Sequence, residues 1–497
     1  MKKAIIILTL MLTGVVMSAL PVGKGRAERV AQNAVRLFCA ETHGSELSLS
    51  VALTDVSQNL GIEHLHVFNY RHGDIEGFII ISADDIAAPV LAFSDEGALA
   101  TNPAFISQLR HYSRQLQQGI DAKSATPKYI AHKWEMLEEG TFLSKGDFYH
   151  DNIRRLLGGM QWGQSSPYNT HCPAGTYTGC VATAFGMLMN YWDYPEHGFG
   201  MHSYDGADNP AAYPNWRYGV QSADFEHTYY DWNHMPDYLL IMGETDSNIE
   251  AVSTLLYHIG VSLDMRYGTT GSGCWSLPEY AIFDTSLHLT PNIGADVRIP
   301  KHFGYRYDYA GLRDSIGNDS IWLHMLYNSL VEGKPIYYAG WAKDSSEAGH
   351  SGTSGHGYIL DGYFSDEVDT SFFHINWGWT GTADGFFKLD AMTPQSSDFT
   401  QWHGAIIGLE PDTSYHGYDY TGIQPVAPRR LSHVRSTDGG IVLTGITGGE
   451  VSVYDIMGRP ILRSMRVAGS PCRIALCPGV YLVSVDRSPA EKVIVLK

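Results

Sequence analysis

Cys180 stands at the start of a long apolar segment, directly after Gly179. Apolar residues recur at helical spacing from position 181 to Trp192, so we predict a buried helix that begins at the cysteine and ends before Pro195. The helix dipole and the unpaired N–H groups of a first turn favour thiolate over thiol, and the thiolate is the nucleophile. Gly179 would let a substrate backbone approach closely. The alternative interpretation is a small buried cysteine without a catalytic role.

His356 is the candidate base for such a nucleophile. It lies between Gly355 and Gly357, directly before an apolar, strand-like run, and a second run, 372–379, follows soon after. A cysteine nucleophile needs a base that takes its proton and later protonates the leaving amine, and the pKa of imidazole suits both steps. The two residues need only be adjacent in the fold.

A set of four motifs is spread along the middle of the chain, at residues 162–169, 178–184, 351–363 and 374–379. In this order they resemble the streptopain family of secreted bacterial cysteine peptidases, which have a papain-like fold, and the resemblance covers residues 150–410. It implies that Cys180 is the nucleophile, that His356 is the general base and acid, and that Gln164 belongs to the oxyanion hole. The Gln164 amide and the Cys180 backbone N–H would then stabilise the oxyanion by roughly 3–4 kcal/mol.

The group that orients His356 stays open in the sequence. Papain-like enzymes generally use an asparagine followed by Ser-Trp-Gly, but here Asn376 adjoins Trp377 directly, and alignment on Trp-Gly puts Ile375 at the asparagine position. One interpretation is a Cys–His dyad with Trp377 and Trp379 packed over the histidine. In that case Asn376 bonds a nearby backbone group, and Trp377 is the stronger candidate for the residue that supports His356.

Other histidines and cysteines are rival candidates. His350 lies in a Gly/Ser-rich stretch, 342–355, that is predicted to be a loop, so it lines the cleft or faces solvent. His171 and Cys172 lie in a loop without a helix N-terminus that could activate a thiol. Together with Cys180 they lack the paired spacing of a zinc site, so we expect no metal and no cofactor.

The N-terminus indicates export. Residues 1–19 have two lysines, a short apolar run and small residues near the end, which is typical of a secretory signal peptide. No other segment approaches eighteen uninterrupted apolar residues, and no cysteine follows the apolar run, so we expect neither a membrane anchor nor a lipoprotein.

Composition excludes some classes of function. The chain has 53 Asp and Glu against 34 Lys and Arg, a formal charge of -19, which argues against nucleic-acid binding. Six cysteines in 497 residues do not make a disulfide scaffold. Pairings of Cys472 with Cys477 and of Cys172 with Cys274 stay open.

Residues 20–145 precede the catalytic pattern. They contain an amphipathic helix at 27–38 and a hairpin with strands 66–70 and 77–82. This order resembles the propeptide of streptopain-like zymogens, which implies an intramolecular inhibitor that displaces His356 or blocks Cys180 until it is removed. The alternative is an unrelated accessory domain. We expect release at Lys145-Gly146 within the polar stretch 138–147.

The C-terminal part changes character after residue 410. Residues 411–430 form a linker rich in Tyr, Gly and Pro, and 431–497 contain short alternating strands that predict a small β-sandwich. The segments 453–459 and 478–483 resemble the sorting domain of type IX secretion, which implies that this machinery is a partner. It also implies export through the periplasm of a Gram-negative bacterium, to the medium or the outer-membrane surface. The alternative is a carbohydrate- or protein-binding module.

The whole sequence therefore predicts an α+β protein. It comprises a signal peptide (1–19), an inhibitory propeptide (20–145), a papain-like catalytic domain (146–410), a linker (411–430) and an all-β sandwich (431–497). The predicted function is a secreted cysteine endopeptidase, made as a zymogen, that hydrolyses host or environmental proteins for nutrition or virulence. The alternatives are a surface adhesin whose peptidase domain is incidental and an acyl- or aminotransferase with the same Cys–His chemistry.

Overall fold

The structure is a computed structural model of the 497-residue chain. It describes residues 19–43, 46, 49–140, 151–153, 155–205, 218–240, 243–274, 276–277, 294–317, 319–341, 355–365, 371–390 and 403–417, together with strands between 434 and 495. The predictions on the signal peptide up to residue 18, the release site Lys145-Gly146, His350 and the Cys472–Cys477 pairing concern residues or side chains outside this part of the chain.

The described helices and strands are as follows. The helices are α1 (Lys24–His43), α2 (Ser57–Leu60), α3 (Pro103–Asp121), α4 (Lys128–Glu139), α5 (Cys180–Trp192), α6 (Asp246–Ser262), α7 (Ala295–Phe303), α8 (Arg313–Ile316) and α9 (Asp319–Val331). The strands before residue 300 are β1 (Val51–Asp55), β2 (Leu65–His72), β3 (Ile75–Ser82), β4 (Val90–Ser94), β5 (Asp151–Ile153), β6 (Met201–Asp205) and β7 (Val220–Asp224). Those from 305 to 411 are β8 (Tyr305–Arg306), β9 (Tyr309–Leu312), β10 (Ile336–Trp341), β11 (Gly355–Ser365), β12 (Ser371–Asn376), β13 (Gly385–Phe387), β14 (Gly404–Ile407) and β15 (Glu410–Pro411). The C-terminal strands are β16 (Val434–Thr437), β17 (Gly440–Leu443), β18 (Gly449–Asp455), β19 (Pro460–Val467), β20 (Cys472–Ala475), β21 (Gly479–Val485) and β22 (Glu491–Val495).

The chain divides into two compact units. The first contains Met1–Asp151, Ser365–Phe372 and Gly385–Phe399. The second contains Asn152–Phe364, Phe373–Asp384 and Thr400–Lys497. Segments that are distant in sequence therefore belong to one unit.

The first unit is built on an antiparallel sheet with the strand order β1-β2-β3-β4-β13. Helix α1 and the hairpin β2–β3 confirm the predicted helix at 27–38 and the predicted hairpin. Helix α3 begins where the Asn102 side chain accepts a hydrogen bond from the Phe105 N–H at 2.8 Å, and Pro103 occupies the first helical position. Stacking of Phe38 on Phe93, with ring centroids 4.0 Å apart, contributes to the core of this unit.

The second unit is organised around helix α5. Nine consecutive residues of α5, from Val181 to Met189, are buried, which confirms the predicted core helix, and α6 packs against it. The helix ends at Asp193, which adopts a left-handed backbone conformation with φ 47°. Beside the helix, strands β12, β11, β10, β14 and β9 are neighbours in that order, and Phe185 of the helix stacks on Tyr337 of β10 at 4.6 Å.

The C-terminal residues form two antiparallel sheets. Strands β16, β17 and β20 make one sheet, and β19, β18, β21 and β22 make the other. Helices and sheets are both present in the chain, so the predicted mixed helix–sheet fold class is confirmed. None of the helices in the described ranges has the length and apolar character that a membrane-spanning helix requires.

Candidate active site

Cys180 is the first residue of α5, which places its sulfur at the N-terminus of the helix. The preceding Gly179 has φ 91°, and a Cβ at this position would lie 2.7 Å from the Met265 sulfur. Only glycine fits that backbone and that space. The first helical turn is closed by a hydrogen bond from the Thr183 N–H to the Gly179 carbonyl at 3.0 Å. The local sequence thus fixes the cysteine at a positive helix end.

His356 lies on β11, opposite Gly340 of the neighbouring strand β10, and interacts with the Cys180 side chain. The next residue, Gly357, donates its backbone N–H to the Cys180 sulfur at 3.4 Å. Strand β11 therefore lies beside the start of α5, which brings imidazole and thiol together although 176 positions separate them in the chain (356 − 180).

The electrostatics of the two side chains are coupled. Burial raises the pKa of Cys180, but the positive charge of His356, a hydrogen bond from its ring and the N–H groups of Gly357 and Val181 outweigh it, so the pKa is lowered overall. Burial lowers the pKa of His356, but the Cys180 thiolate and hydrogen bonds to Cys180 and Trp377 reverse the effect, so the pKa is raised. Both shifts favour a thiolate–imidazolium pair, the reactive state of a thiol nucleophile.

The ring nitrogen Nε2 of His356 is hydrogen-bonded to a backbone carbonyl group. Its Nε2 donates to the carbonyl oxygen of Trp377 at 2.9 Å in the tautomer that this arrangement requires. The Trp379 ring stands nearly parallel to the imidazole, with centroids 6.2 Å apart, and the Trp377 ring lies 6.4 Å away. Asn376 bonds backbone instead: it donates to the Met160 carbonyl at 2.7 Å and accepts from the Gly378 N–H at 3.0 Å.

Gln164 lies close to the start of helix α5. Its backbone carbonyl accepts from the Thr178 N–H at 3.0 Å, two residues before Cys180. Its side-chain Nε2 is buried and has no hydrogen-bond partner among the described residues. A buried amide donor normally finds a partner, so this N–H is available to an oxyanion. The roles of Gln164, Cys180 and His356 in catalysis remain predictions.

The rival residues occupy other surroundings. His171 pairs with Glu250 at 2.9 Å near the surface. Cys172 belongs to the buried core, which raises the pKa of its thiol to about 12. Cys172 and Cys274 are both free thiols, so the pairing left open between them does not form. In the described ranges no group of three or more His, Cys, Asp or Glu side chains is arranged to hold a metal ion.

Two residues near the site were not singled out from the sequence. Gly357 contacts the Cys180 sulfur through its N–H, and its place directly after the candidate base was the available signal. Asp384, which is 2% exposed, accepts a hydrogen bond from the Trp377 backbone N–H at 2.9 Å. It stands before the strand Gly385–Phe387, and nothing in the spacing of the motifs connects it to His356.

Comparison with known proteins divides the chain in the same way as its motifs. Residues 162–387 match the Peptidase C10 family, and residues 19–120 match the Spi protease inhibitor family. The thiol protease/hemagglutinin PrtT of Porphyromonas gingivalis is 27% identical over 413 residues, which cover 79% of this chain and 42% of that protein. The chain therefore matches less than half the length of that relative.

Two further relatives are matched over most of their length. Streptopain of Streptococcus pyogenes is 27% identical over 376 residues, which cover 71% of this chain and 83% of streptopain. Among solved structures, a fragment of Prevotella intermedia prointerpain A aligns with a TM-score of 0.52 and 25% identity, covering 72% of this chain and 98% of the fragment.

Proposed function

Because residues 162–387 match the Peptidase C10 family and residues 19–120 match the Spi protease inhibitor family, we propose that this chain is a cysteine endopeptidase made as a zymogen. The observation that carries the proposal is the Cys180–His356 pair, whose pKa values shift in the directions that produce a thiolate and an imidazolium. A core cysteine without a catalytic role would show the opposite shift, as Cys172 does.

The geometry supports the following sequence of steps. The Cys180 thiolate attacks the substrate carbonyl carbon, and the Gln164 amide with the Cys180 N–H stabilises the resulting oxyanion. The C–N bond breaks as the His356 imidazolium gives its proton to the leaving amine, which leaves a thioester on Cys180. Water then attacks the thioester, His356 takes its proton, and release of the acid restores the thiolate–imidazolium pair.

The N-terminal unit is proposed to be the inhibitor of its own peptidase domain. In that unit β4 pairs with β13, with Phe93 opposite Phe386. Strand β13 belongs to the segment that matches the peptidase family, so the inhibitor-like segment is hydrogen-bonded to peptidase sequence within one compact unit. We expect inhibition to end when the chain is cut within 138–147, at Lys145-Gly146.

The route out of the cell is proposed from the two ends of the chain. Residues 1–19 would direct export to the periplasm, and residues 431–497 would act as a type IX sorting domain. The two antiparallel sheets between Val434 and Val495 support an all-β module but not its role. Substrates are proposed to be host or environmental proteins, and release to the medium or attachment to the outer-membrane surface would follow export.

A comparison of three proteins tests the proposed function. Residues 20–497 are expressed as wild type, as Cys180→Ala and as Cys172→Ala, which removes a free thiol away from the site, and are incubated with dithiothreitol. We expect wild type and Cys172→Ala to lose about 120 residues from the N-terminus and then to degrade casein, while Cys180→Ala stays intact.

The same experiment separates the alternatives. Intact casein with all three proteins, even after limited trypsin treatment, would reject the peptidase and leave the binding-protein interpretation. A product that forms only with added amine and with little hydrolysis would indicate an acyl- or aminotransferase instead.

A further inference from the structure

Trp377 is held by hydrogen bonds on both sides of its backbone. Its carbonyl oxygen accepts from His356 Nε2 at 2.9 Å, and its N–H donates to Asp384 Oδ1 at 2.9 Å. Its indole Nε1 donates to the carbonyl of Ala383 at 3.0 Å. Hydrogen bonds from Trp377 to Ala383 and Asp384 therefore join the two ends of the loop between β12 and β13. The carbonyl of the same Trp377 contacts the imidazole of His356.

We propose that Asp384 is a positioning residue for His356 and that it acts through the backbone of Trp377. This inference rests on the proposed function. His356 Nε2 is bonded by a backbone carbonyl, that of Trp377, and the Asn376 side chain bonds backbone groups instead. A carbonyl group is only as well placed as the loop that carries it, so the residues that fix the loop determine how the imidazole is oriented.

Burial supports this role for Asp384. The residue is 2% exposed, and a buried carboxyl group is costly unless hydrogen bonds compensate for the loss of water. Asp384 accepts the Trp377 N–H, and its own N–H donates to the Gly381 carbonyl at 3.3 Å. The carboxyl group thus joins the end of the loop to its start.

The loop needs such a connection because part of it is strained. Thr380 and Ala383 have φ values of 52° and 64°, in the left-handed region that residues with a Cβ seldom adopt. Conformations of this kind persist only where surrounding contacts over-determine them. The Thr380 N–H donates to the Trp162 carbonyl at 3.1 Å, which ties the loop to the segment that leads to Gln164.

Asn376 fixes the other peptide group of Trp377. Its side-chain oxygen accepts from the Gly378 N–H at 3.0 Å, and this N–H belongs to the peptide group whose carbonyl meets His356. Asp384 holds the peptide group on the opposite side. The two side chains together clamp the Trp377 backbone, and neither needs to touch the imidazole to orient it.

The test combines a readout that needs no peptide substrate with steady-state kinetics on one. Wild type, Asp384→Ala and Asp384→Asn are cut by limited trypsin treatment, and the rate of Cys180 alkylation by iodoacetamide is followed from pH 4 to 10 by mass spectrometry. Loss of the acceptor lets the Trp377 carbonyl and His356 drift, so less thiolate forms at low pH. We expect the alkylation rate at pH 6 and kcat to fall by roughly ten- to a hundredfold in Asp384→Ala, the range known for partners that orient metal-bound histidines, with KM little changed.

Asp384→Asn keeps an oxygen acceptor but loses the charge that strengthens the bond, so we expect a smaller shift in the same direction. The matched control is Asp361→Asn. Asp361 is also buried, at 1% exposure, but it bonds His374 and the Leu157 N–H rather than the loop, and its alkylation profile should stay that of wild type.

An unchanged profile in whichever Asp384 variants are folded, as judged by circular dichroism, would overturn the proposal. A fall in kcat without a shift of the alkylation profile would overturn it as well, because it would indicate a structural role alone. Because alkylation reports on the thiolate in the absence of substrate, failure here is distinct from failure of the peptidase assignment, which the casein experiment decides.

Discussion

The backbone N–H of Gly357 donates to the sulfur of Cys180 across 3.4 Å, so the residue that follows the candidate base His356 itself contacts the candidate nucleophile. A Cβ on Gly357 would lie 2.6 Å from the hydroxyl oxygen of Tyr337, whose ring is fully buried between the sheet and α5. The glycine therefore allows β11 to approach the thiol closely, and a larger residue would separate the two.

Gly357→Ala should push β11 away from Cys180 and weaken the hydrogen bond from residue 357 to the sulfur. Overpacking of a buried position typically costs about 1–3 kcal/mol, and the alanine can find room only if β11 or Tyr337 moves. We expect a lower melting temperature and slower alkylation of Cys180 at pH 6. Gly340→Ala is the control on the neighbouring strand, because a Cβ there would meet its nearest atom, the Tyr358 hydroxyl, only at 4.0 Å. Equal effects of the two substitutions would contradict the explanation.

The pH dependence should follow from the coupled pair. The pKa of Cys180 is lowered from 9.0 and that of His356 is raised from 6.5. Activity needs the thiolate and a protonated imidazole, so kcat/KM should rise with pH on a limb below 9.0, where the thiol ionises, and fall on a limb above 6.5, where the imidazole loses its proton. A pH series of kcat/KM on the cut enzyme measures both limbs.

Alkylation at neutral pH tests the same shifts without substrate. Iodoacetamide should modify Cys180 far faster than Cys39 or Cys172, whose pKa values burial raises to about 11 and about 12. His356→Ala removes the opposite charge and the hydrogen bond, so the onset of Cys180 alkylation should move to higher pH. If Cys180 reacts no faster than Cys172 in the folded wild type, the thiolate–imidazolium pair is absent.

Gln164 offers a test of the oxyanion site. Gln164→Ala should lower kcat by roughly 10²–10³, since one preorganised donor to the oxyanion is lost. Gln164→Glu, which keeps the shape but offers a carboxylate, should be at least as poor. The control is Gln221→Ala, another buried glutamine, which donates to the Tyr218 carbonyl at 3.0 Å in the β7 region. Steady-state kinetics would contradict the assignment if Gln164→Ala changed KM and left kcat intact.

The sequence predicted those elements whose pattern is local. The apolar run after Cys180 predicted the helix that begins there, and two strand-like segments around a turn predicted the hairpin β2–β3. The proximity of Cys180 and His356 was inferred from chemistry, because a nucleophile needs a base. Each of these predictions depends on residues that lie next to one another in sequence or on a requirement of the reaction.

The remaining features depend on contacts that no local pattern encodes. Asp384 meets Trp377 only because the loop between β12 and β13 folds back, and Gly357 meets Cys180 only because β11 lies beside the start of α5. The inclusion of Ser365–Phe372 and Gly385–Phe399 in the N-terminal unit likewise follows from a strand pairing, β4 with β13, between segments nearly 300 residues apart (386 − 93).

Beside the β4–β13 pairing, helix α3 bonds the residues that follow β13. The side chains that do so are spaced three or four residues apart and therefore lie on one face of the helix. The Gln108 side-chain amide donates to the carbonyls of Lys388 and Leu389, each at 3.3 Å, and the Tyr112 hydroxyl also donates to the Lys388 carbonyl. One turn further, the Gln115 amide donates to Asp390 Oδ1 at 3.0 Å. All of these α3 side chains are buried, so we expect them to hold the inhibitor-like segment after the chain has been cut.

Gln108→Ala should loosen this hold. The substitution removes the amide donor from the buried Leu389 carbonyl and one of two donors from the Lys388 carbonyl. Loss of a donor from a buried carbonyl costs about 1–3 kcal/mol, or roughly 5- to 150-fold in retention of the cut segment. The measurement is made in a Cys180→Ala background, so that no self-digestion interferes: the chain is cut by limited trypsin treatment and passed over a gel-filtration column at falling protein concentration. Gln118→Ala, on the exposed side of the same helix, is the control. Co-elution of the cut segment down to the same dilution in both variants would show that the Gln108 contacts do not hold it, because of these two glutamines it is Gln108 that bonds the residues after β13.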